Sequence, residues 1–424
     1  MCEKGGGAME RLIFHVDVNS AYLSWEAARR VKNGESDLRE IPSCIGGDPT
    51  KRHGVVLAKS IPAKKYNVKT GEPLAMALRK CPSLVVAPPD FKLYSACSKA
   101  FKDICRAYAP VVEEASIDEC FCDFTGTRLT YPDPVALAHE MKDRIRDELG
   151  FTVNIGVAQN KLCAKMASDF EKPDRVHTLF PEEVPEKLWP LPVRDLLFIG
   201  GASAQKLERA YIRTIGDLAR SRPELLKPVL GEKFSLQAWK YANGVDDSPV
   251  RSVPEEAKSY SNSVTLEENV TALGTADAIL LALADSVSAH MRSDGMKAQG
   301  VSVSIRYLDF KTRSHQCRLD TPTDTTREIY EISKKLLREL WADRRPLRLL
   351  SIGLMNLTRQ GGGEQMSLFG EDTPQDRERD RKLDKAVDTL RSKFGSDIIQ
   401  RGTIIESGIS VARKFKGKTD SKQE

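Results

Sequence analysis

The chain has 424 residues, 40% of them hydrophobic, and a formal net charge of +5. That is too long for one ordinary core, so about two to four domains are expected. The near-balanced charge excludes a strongly basic or acidic coat but leaves room for a basic groove that meets nucleic acid.

No apolar run approaches the roughly 20 residues needed to span a bilayer, and the best, residues 278–284, is short. The N-terminus lacks a basic, apolar, small-residue leader, so a cytoplasmic protein without a membrane partner is expected. The nine cysteines include no Cys-x-x-Cys pair and read as reduced thiols. Cys120 and Cys122 alternate on one face of an expected strand, a spacing that neither clasps zinc nor easily forms a disulfide. The six histidines show no His-Glu-x-x-His spacing, which argues against a zinc enzyme.

Residues 1–10, with Gly5, Gly6 and Gly7, read as a flexible leader. Residues 12–16 predict a buried strand, and 21–31 a helix. Gly46, Gly47, Asp48 and Pro49 mark a turn, and 54–58 a short strand. A helical pattern over 93–108 places Phe101, Ile104 and Cys105 on one face, and 111–124 reads as a hairpin turning near 116–119. A helix at 134–149, an alternating strand at 151–158 and a helix at 161–170 follow. This order, with an insertion after the first helix, is a split βαβ layout and suits a sheet backed by helices on one face.

After Pro181 short helices alternate with Gly and Pro, and 197–207 reads as helix, tight Gly turn, helix. A linker over 245–257 precedes a separate α+β module. Its strands are expected at 259–265, 299–308, 313–319 and 347–357, and its helices at 273–293 and 325–341. A Gly-rich spacer, a short apolar peptide at 365–369, a charged helix over 375–394 and a disordered basic tail complete the chain.

Two acidic stretches stand out. Asp17 ends the first apolar strand, and Asp118 and Glu119 sit at the hairpin tip. One acid at a strand end is ordinarily a turn or cap residue. A charge there is costly to leave unpaired, and three are most simply satisfied by strands brought side by side around hard divalent cations. That is the core of a two-metal phosphoryl-transfer site.

On these residues the chain resembles the Y-family translesion DNA polymerases, the bacterial DinB and UmuC relatives. The likeness rests on Val16-Asp17-Val18-Asn19-Ser20, Ser116-Ile117-Asp118-Glu119, the stretch from Asn160 to Asp169, and Lys172-Pro173. The helix–turn–helix at 197–207 falls where the family carries a helix-hairpin-helix. The resemblance implies an α+β multidomain protein with a ferredoxin-like palm (11–30 and 86–180), small fingers (31–85) and a helical thumb (181–244). A linker (245–258), a C-terminal α+β little finger (259–358) and a tail (359–424) would follow.

The implied reaction is template-directed nucleotidyl transfer of low fidelity, tolerant of damage. The primer 3′-hydroxyl attacks the α-phosphate of a deoxynucleoside triphosphate, and pyrophosphate leaves. Two Mg²⁺ ions are implied, held by Asp17 and Asp118 with a main-chain carbonyl from Val18. Glu119 would position the metal near the primer hydroxyl and help its deprotonation. Tyr22 matches the steric gate that blocks a ribose 2′-hydroxyl.

Lys64 and Lys161 would contact the triphosphate. The family's Tyr-x-x-Arg is here Ile61-Pro62-Ala63-Lys64, which keeps a charge but loses the guanidinium fork and the hydroxyl. Ile199, Gly200 and Gly201 would offer backbone N–H groups to a DNA phosphate, with Leu197-Phe198 in place of the family's Pro-Gly. Gln365, Leu368 and Phe369 match the bacterial sliding-clamp peptide, an apolar anchor on a tether. The implied partners are primer–template DNA, deoxynucleoside triphosphates and the clamp, for a monomeric enzyme.

The altered 61–64 stretch keeps one alternative open, a catalytically impaired relative acting as a clamp-binding scaffold, but loss of the acids would mark it and all three are present. A nucleotidyl cyclase can share a similar palm, but Gly46-Gly47-Asp48 precedes a proline turn and lacks the Glu-Phe ending of that signature. A non-enzymatic DNA-binding module would not need three converging acids.

Overall fold

The computed structural model describes residues 10–48, 54–253, 255–359, 374–395, 398–399 and 401–402. The clamp-like peptide at 365–369 and the basic tail lie outside the described residues. The chain divides into two compact units, Met1–Pro254 and Glu255–Glu424.

The first unit opens with β1 (Ile13–Val18) and α1 (Ala21–Lys32). An insertion then builds a small sheet from β2 (Ser43–Gly46), β3 (Val56–Lys59) and β4 (Val85–Ala87), with α2 (Ile61–Lys65) and α3 (Leu74–Lys80) between β3 and β4. Its strand order is β3-β2-β4, and Gly46, expected in a turn, ends β2.

The chain returns through α4 (Phe91–Tyr108), β5 (Val111–Glu114), β6 (Glu119–Asp123), α5 (Pro134–Leu149), β7 (Val153–Ala158), α6 (Lys161–Ser168) and β8 (Val176–Leu179). The main sheet runs β5-β6-β1-β7-β8. All six residues of β1 are buried, which suits the centre of a sheet covered on both faces. Local signals fix the helix ends. Asp90 and Asp133 cap α4 and α5 by accepting backbone N–H groups, and Gly150 closes α5 in the left-handed region.

Phe14, Val16, Val18, Ile155 and Val157 face α4 and α5, where Phe101, Met141 and Ile145 complete the main core. The pairing register puts His15, Asp17, Glu119, Phe121, Asn154 and Gly156 on the opposite face. Helices were expected on one face only, but α6 packs on this second face. Gly156 permits it: a Cβ there would stand 2.0 Å from the Ala164 carbonyl oxygen and 2.6 Å from the Ser168 nitrogen.

The rest of the first unit is helical: α7 (Gly201–Arg209), α8 (Ile215–Arg220), α9 (Pro223–Leu230) and α10 (Glu232–Ala242) gather around Leu207, Ile215, Leu218 and Leu226. The helix expected ahead of the Gly turn is only a 3₁₀ turn at Val193–Asp195. Leu196 leaves that turn in extended backbone, at φ −68° and ψ 133°, and Phe198 then turns into the left-handed region at φ 69°.

The second unit follows its expected element order: β9 (Ser259–Val270), α11 (Leu273–Ser293), β10 (Met296–Tyr307), β11 (Thr312–Thr323), α12 (Thr326–Leu340) and β12 (Leu347–Arg359). The antiparallel sheet runs β11-β10-β12-β9 and packs on α11 and α12. The charged helix α13 (Pro374–Phe394) docks on this unit. Arg391 pairs with Asp285 at 2.9 Å, and Arg292 with Asp388 at 2.7 Å and Asp384 at 3.3 Å. No helix among the described residues is long and apolar enough to cross a membrane.

Candidate active site

Asp17 lies opposite Glu119 across the antiparallel β1–β6 pair. One step further out, the Val18 N–H donates to the Asp118 carbonyl at 3.0 Å. The two acidic stretches therefore meet at one end of the main sheet. The hairpin loop is braced from behind by α4: Ser98 donates its hydroxyl to the Ile117 carbonyl, and the buried Lys102 ammonium reaches the Ser116 carbonyl at 2.6 Å and Glu114 at 3.1 Å.

Asp17 is only 6% exposed, so its charge needs partners. Lys172 Nζ lies 2.8 Å from Asp17 Oδ2, and Lys165 Nζ lies 3.3 Å from the same oxygen and 2.5 Å from Glu119 Oε1. Asp169, one turn after Lys165 on the chain, holds both ammonium groups, at 2.8 Å and 3.3 Å. Asp118 stands apart and accepts the Ser116 hydroxyl at 2.6 Å.

Burial pushes the Glu119 carboxyl up, and the charges of Asp17 and Asp118 add to this against the opposing Lys165 contact. Burial pulls both ammonium groups down, yet Asp17 and its neighbours more than offset it, so Lys165 and Lys172 are raised overall. Both are cations at neutral pH.

His15 lies beneath this cluster, fully buried. Ser168 donates its hydroxyl to the Lys165 carbonyl at 2.8 Å, so the same oxygen, 2.8 Å from His15 Nδ1, accepts the ring proton. Burial, followed by Lys165, Lys172 and Lys161, holds the imidazole well below its ordinary value, and the ring is neutral. Its Nε2 lies 3.9 Å from Glu119 Oε2 and has no hydrogen-bond partner among the described residues.

A buried amide network fixes the loop that carries Lys172. Asn19 donates to Asn154 at 3.0 Å and accepts from Thr152 and the Asp174 N–H. Asn154 in turn donates to the Ser168 and Glu171 carbonyls. Such a network, fully paired, specifies one geometry.

Tyr22 sits in the first turn of α1, which follows Ser20 in the left-handed region at φ 48°. Its ring stacks on Tyr94 at 4.6 Å and meets Phe91 edge-on at 6.3 Å. Burial and then the Asp118 charge raise its hydroxyl's pKa.

Lys64 lies exposed in the last turn of α2, which Ser60 caps, and Ile61 is exposed beside it. Lys59 is a neighbour not anticipated from sequence; burial and then the Lys64 charge lower its ammonium. Lys161 is engaged elsewhere than at the three acids. Its ammonium pairs with Glu113 at 2.6 Å and lies 4.7 Å above the Phe121 ring. The lysines at the acids are Lys165 and Lys172, to which sequence reasoning assigned no role. The available signal was the i, i+4 step from Lys161 to Lys165 along one helix face.

Ile199 buries its side chain in the helical core and donates its N–H to the Leu196 carbonyl at 2.9 Å, so it has no donor left for DNA. Gly200 and Gly201 begin α7, whose first turn carries no acid. A Cβ on either glycine would meet nothing within 4 Å, so the helix N-terminus is open to a phosphate.

The site offers hard oxygen donors of one sign; burial raises Glu119, and repulsion from Asp17 and Asp118 adds to it. Divalent cations such as Mg²⁺ would relieve that repulsion, and the residues fit them. Lys165 draws Asp17 and Glu119 together while Ser116 turns Asp118 aside. Among the described residues, the donor atoms of these three acids do not close into one tight cluster.

Comparison with known proteins fits this geometry. The impB/mucB/samB family profile matches residues 16–169, its C-terminal domain profile 257–368, and the family's helix-hairpin-helix profile 181–210. DNA polymerase IV of Clostridium acetobutylicum is 42% identical over 399 residues, covering 94% of this chain and 99% of that protein. DNA polymerase IV of Acetivibrio thermocellus is 36% identical, covering 94% and 98%. A solved Y-family DNA polymerase chimera of Dbh and Dpo4 segments matches the fold with a TM-score of 0.73 at 23% identity, covering 82% of this chain and all of that one. With its acids at the sheet end, its helix-hairpin-helix and relatives of this identity along nearly its full length, the chain belongs to the Y family of DNA polymerases, in the impB/mucB/samB group.

Proposed function

We propose that the protein extends a DNA primer against a template by two-metal nucleotidyl transfer and does so past damaged bases. The observation that carries this reading is Asp17 facing Glu119 across β1 and β6, with Asp118 bonded alongside and two cationic lysines at the same carboxylates. Asp17 and Asp118, with the Val18 carbonyl, would hold two Mg²⁺ ions, which supply charge neutralisation for the triphosphate and acidify the primer hydroxyl.

The chain's own residues do the rest. Glu119, raised by burial and like charge, is suited to take up the primer hydroxyl proton. Lys172 and Lys165 offer fixed positive charge where a triphosphate would lie, and electrostatic positioning of this kind does most of the work in phosphoryl transfer. Tyr22, held against Tyr94 and next to Asp118, would exclude a ribose 2′-hydroxyl. Lys64 and Lys59 extend the positive charge from the small sheet.

The five-stranded sheet is assigned as palm, the three-stranded sheet as fingers, α7–α10 as thumb and the second unit as little finger. Gly200 and Gly201 would grip a DNA phosphate. On the sheet face away from the helices, Ser304 pairs with Ser314 and Ser351, and Gly353 with Ser302 and Ser261, a row of small residues that lets a DNA backbone approach. Gln365, Leu368 and Phe369 would dock on the sliding clamp of a cytoplasmic, monomeric enzyme; the Leu368→Ala, Phe369→Ala double variant should then lose clamp binding.

Primer extension on an undamaged template tests the reading. The parent should synthesise and Asp118→Ala should not. Robust synthesis by Asp118→Ala would remove the metal assignment, and no synthesis by the parent would favour a clamp-binding scaffold instead.

A further inference from the structure

Behind the acidic cluster, on the other face of the same strand, lie three thiols. Cys120 and Cys122 project from β6 to the apolar side of the sheet, and Cys105 meets them from α4. All three are fully buried, and their sulfurs all lie within 4.8 Å of one another. A Cys-x-Cys step on a strand was not expected to clasp an ion, and buried cysteines ordinarily act as small apolar side chains. Here a helix brings a third sulfur to the pair.

Sulfurs bonded at about 2.3 Å to one central atom lie at most about 4 Å apart, so closure around such an atom asks for movement of under about 1 Å.

We propose that Cys105, Cys120 and Cys122 form a binding site for a trivalent thiophilic metalloid of the arsenous acid class. Charge selects the occupant. A monovalent or divalent metal on three thiolates would leave net negative charge in the core that holds Phe101, Phe124 and Ile104, which is costly without a partner. Arsenous acid, As(OH)₃, is neutral, and so is its product. Three S–H and three As–O bonds break, three As–S bonds and three waters form, and no electron changes hands. The product also removes three S–H groups from an apolar pocket.

The site has a structural consequence. α4 braces the 116–118 loop through Ser98 and Lys102, and β6 begins at Glu119. A bound metalloid would tie that helix to that strand directly beneath the acids.

The test uses the full-length protein, reduced with a phosphine and titrated with sodium arsenite. Native mass spectrometry should show one arsenic gained and three protons lost per chain, with a rise in melting temperature. Cys122→Ala and Cys105→Ala should each weaken arsenite binding at least tenfold, while Cys97→Ala, outside the trio, should bind as the parent does. X-ray absorption on the parent alone covers the case in which a variant fails to fold: three sulfur neighbours around arsenic support the site. Oxygen neighbours, fewer than three sulfurs, no arsenic on the folded parent, or undiminished binding by a folded Cys122→Ala protein would each overturn it.

Discussion

Lys165 Nζ lies 2.5 Å from Glu119 Oε1 and 3.3 Å from Asp17 Oδ2, so one ammonium bridges the two carboxylates that face each other across β1 and β6. The bridge pairs the Glu119 carboxylate and, together with Lys172, the buried Asp17 charge. A divalent cation held by the same oxygens has to compete with it. Lys165→Met should therefore bind Mn²⁺ more tightly in the absence of DNA, by on the order of tenfold, as read from the free Mn²⁺ signal in electron paramagnetic resonance. An unchanged dissociation constant would show that the ammonium and the metal do not compete.

Tyr22 is held in place by stacking on Tyr94. Truncating it opens space without disturbing the carboxylates. Tyr22→Ala should raise ribonucleotide insertion relative to deoxynucleotide insertion by on the order of a hundredfold, the scale on which a pocket rejects an added hydroxyl. Paired kinetics with dCTP and CTP would check this, and an unchanged sugar preference would remove the gate role.

Gly156 lets α6 reach the sheet. A methyl group there collides with the α6 backbone, which cannot move as the tip of a flexible side chain can. Gly156→Ala should cost about 3 kcal/mol or more in thermal unfolding and should displace Lys165 along with its helix. A melting temperature like the parent's would contradict the packing described for α6.

Glu26 is almost fully buried between Arg29, at 2.6 Å, and Arg30, at 3.0 Å. Burial pushes its carboxyl up, but the two arginines more than offset this and leave it below the ordinary value of 4.5. The unfolded chain therefore binds the proton more tightly than the native one. The contribution to stability is fully present above pH 4.5 and is lost as pH falls through it toward the lowered native value. Glu26→Gln should cost about 1–2 kcal/mol at neutral pH, because the arginines left behind are partly exposed. Urea unfolding should show that gap shrinking in acid; a gap that stays constant would contradict the ion pairing.

Much of this fold is carried by local signals. The helix at 134–149 was legible to the residue because Asp133 and Gly150 are cap residues that act within one turn. The strand ending at Asp17 and the hairpin leading to Glu119 were legible from apolar runs and a polar turn. Features that depend on distant contacts were not. Whether Lys161 or Lys165 meets the acids depends on how far α6 extends over the sheet, and that is set by Gly156 on another element. Cys105 joins Cys120 and Cys122 across a helix–sheet interface. The charged helix expected over 375–394 carried no sign of where it packs, and it docks through Arg391 and Asp285. The strands β2, β4 and β8 span three or four residues each, too few for a period to declare itself in full, whereas β3 was legible in the apolar run at 54–58.

The most direct measurement is the single-turnover rate of inserting one deoxynucleotide on a primer–template at saturating Mg²⁺, for the parent, Asp17→Asn, Asp118→Asn and Glu119→Gln. If the three acids act as one unit on the chemical step, each variant should slow insertion by on the order of 10²–10³ while still binding DNA. Pairwise variants should lose less than the product of the single losses. An Asp17→Asn or Asp118→Asn protein that inserts within a few-fold of the parent would contradict the account.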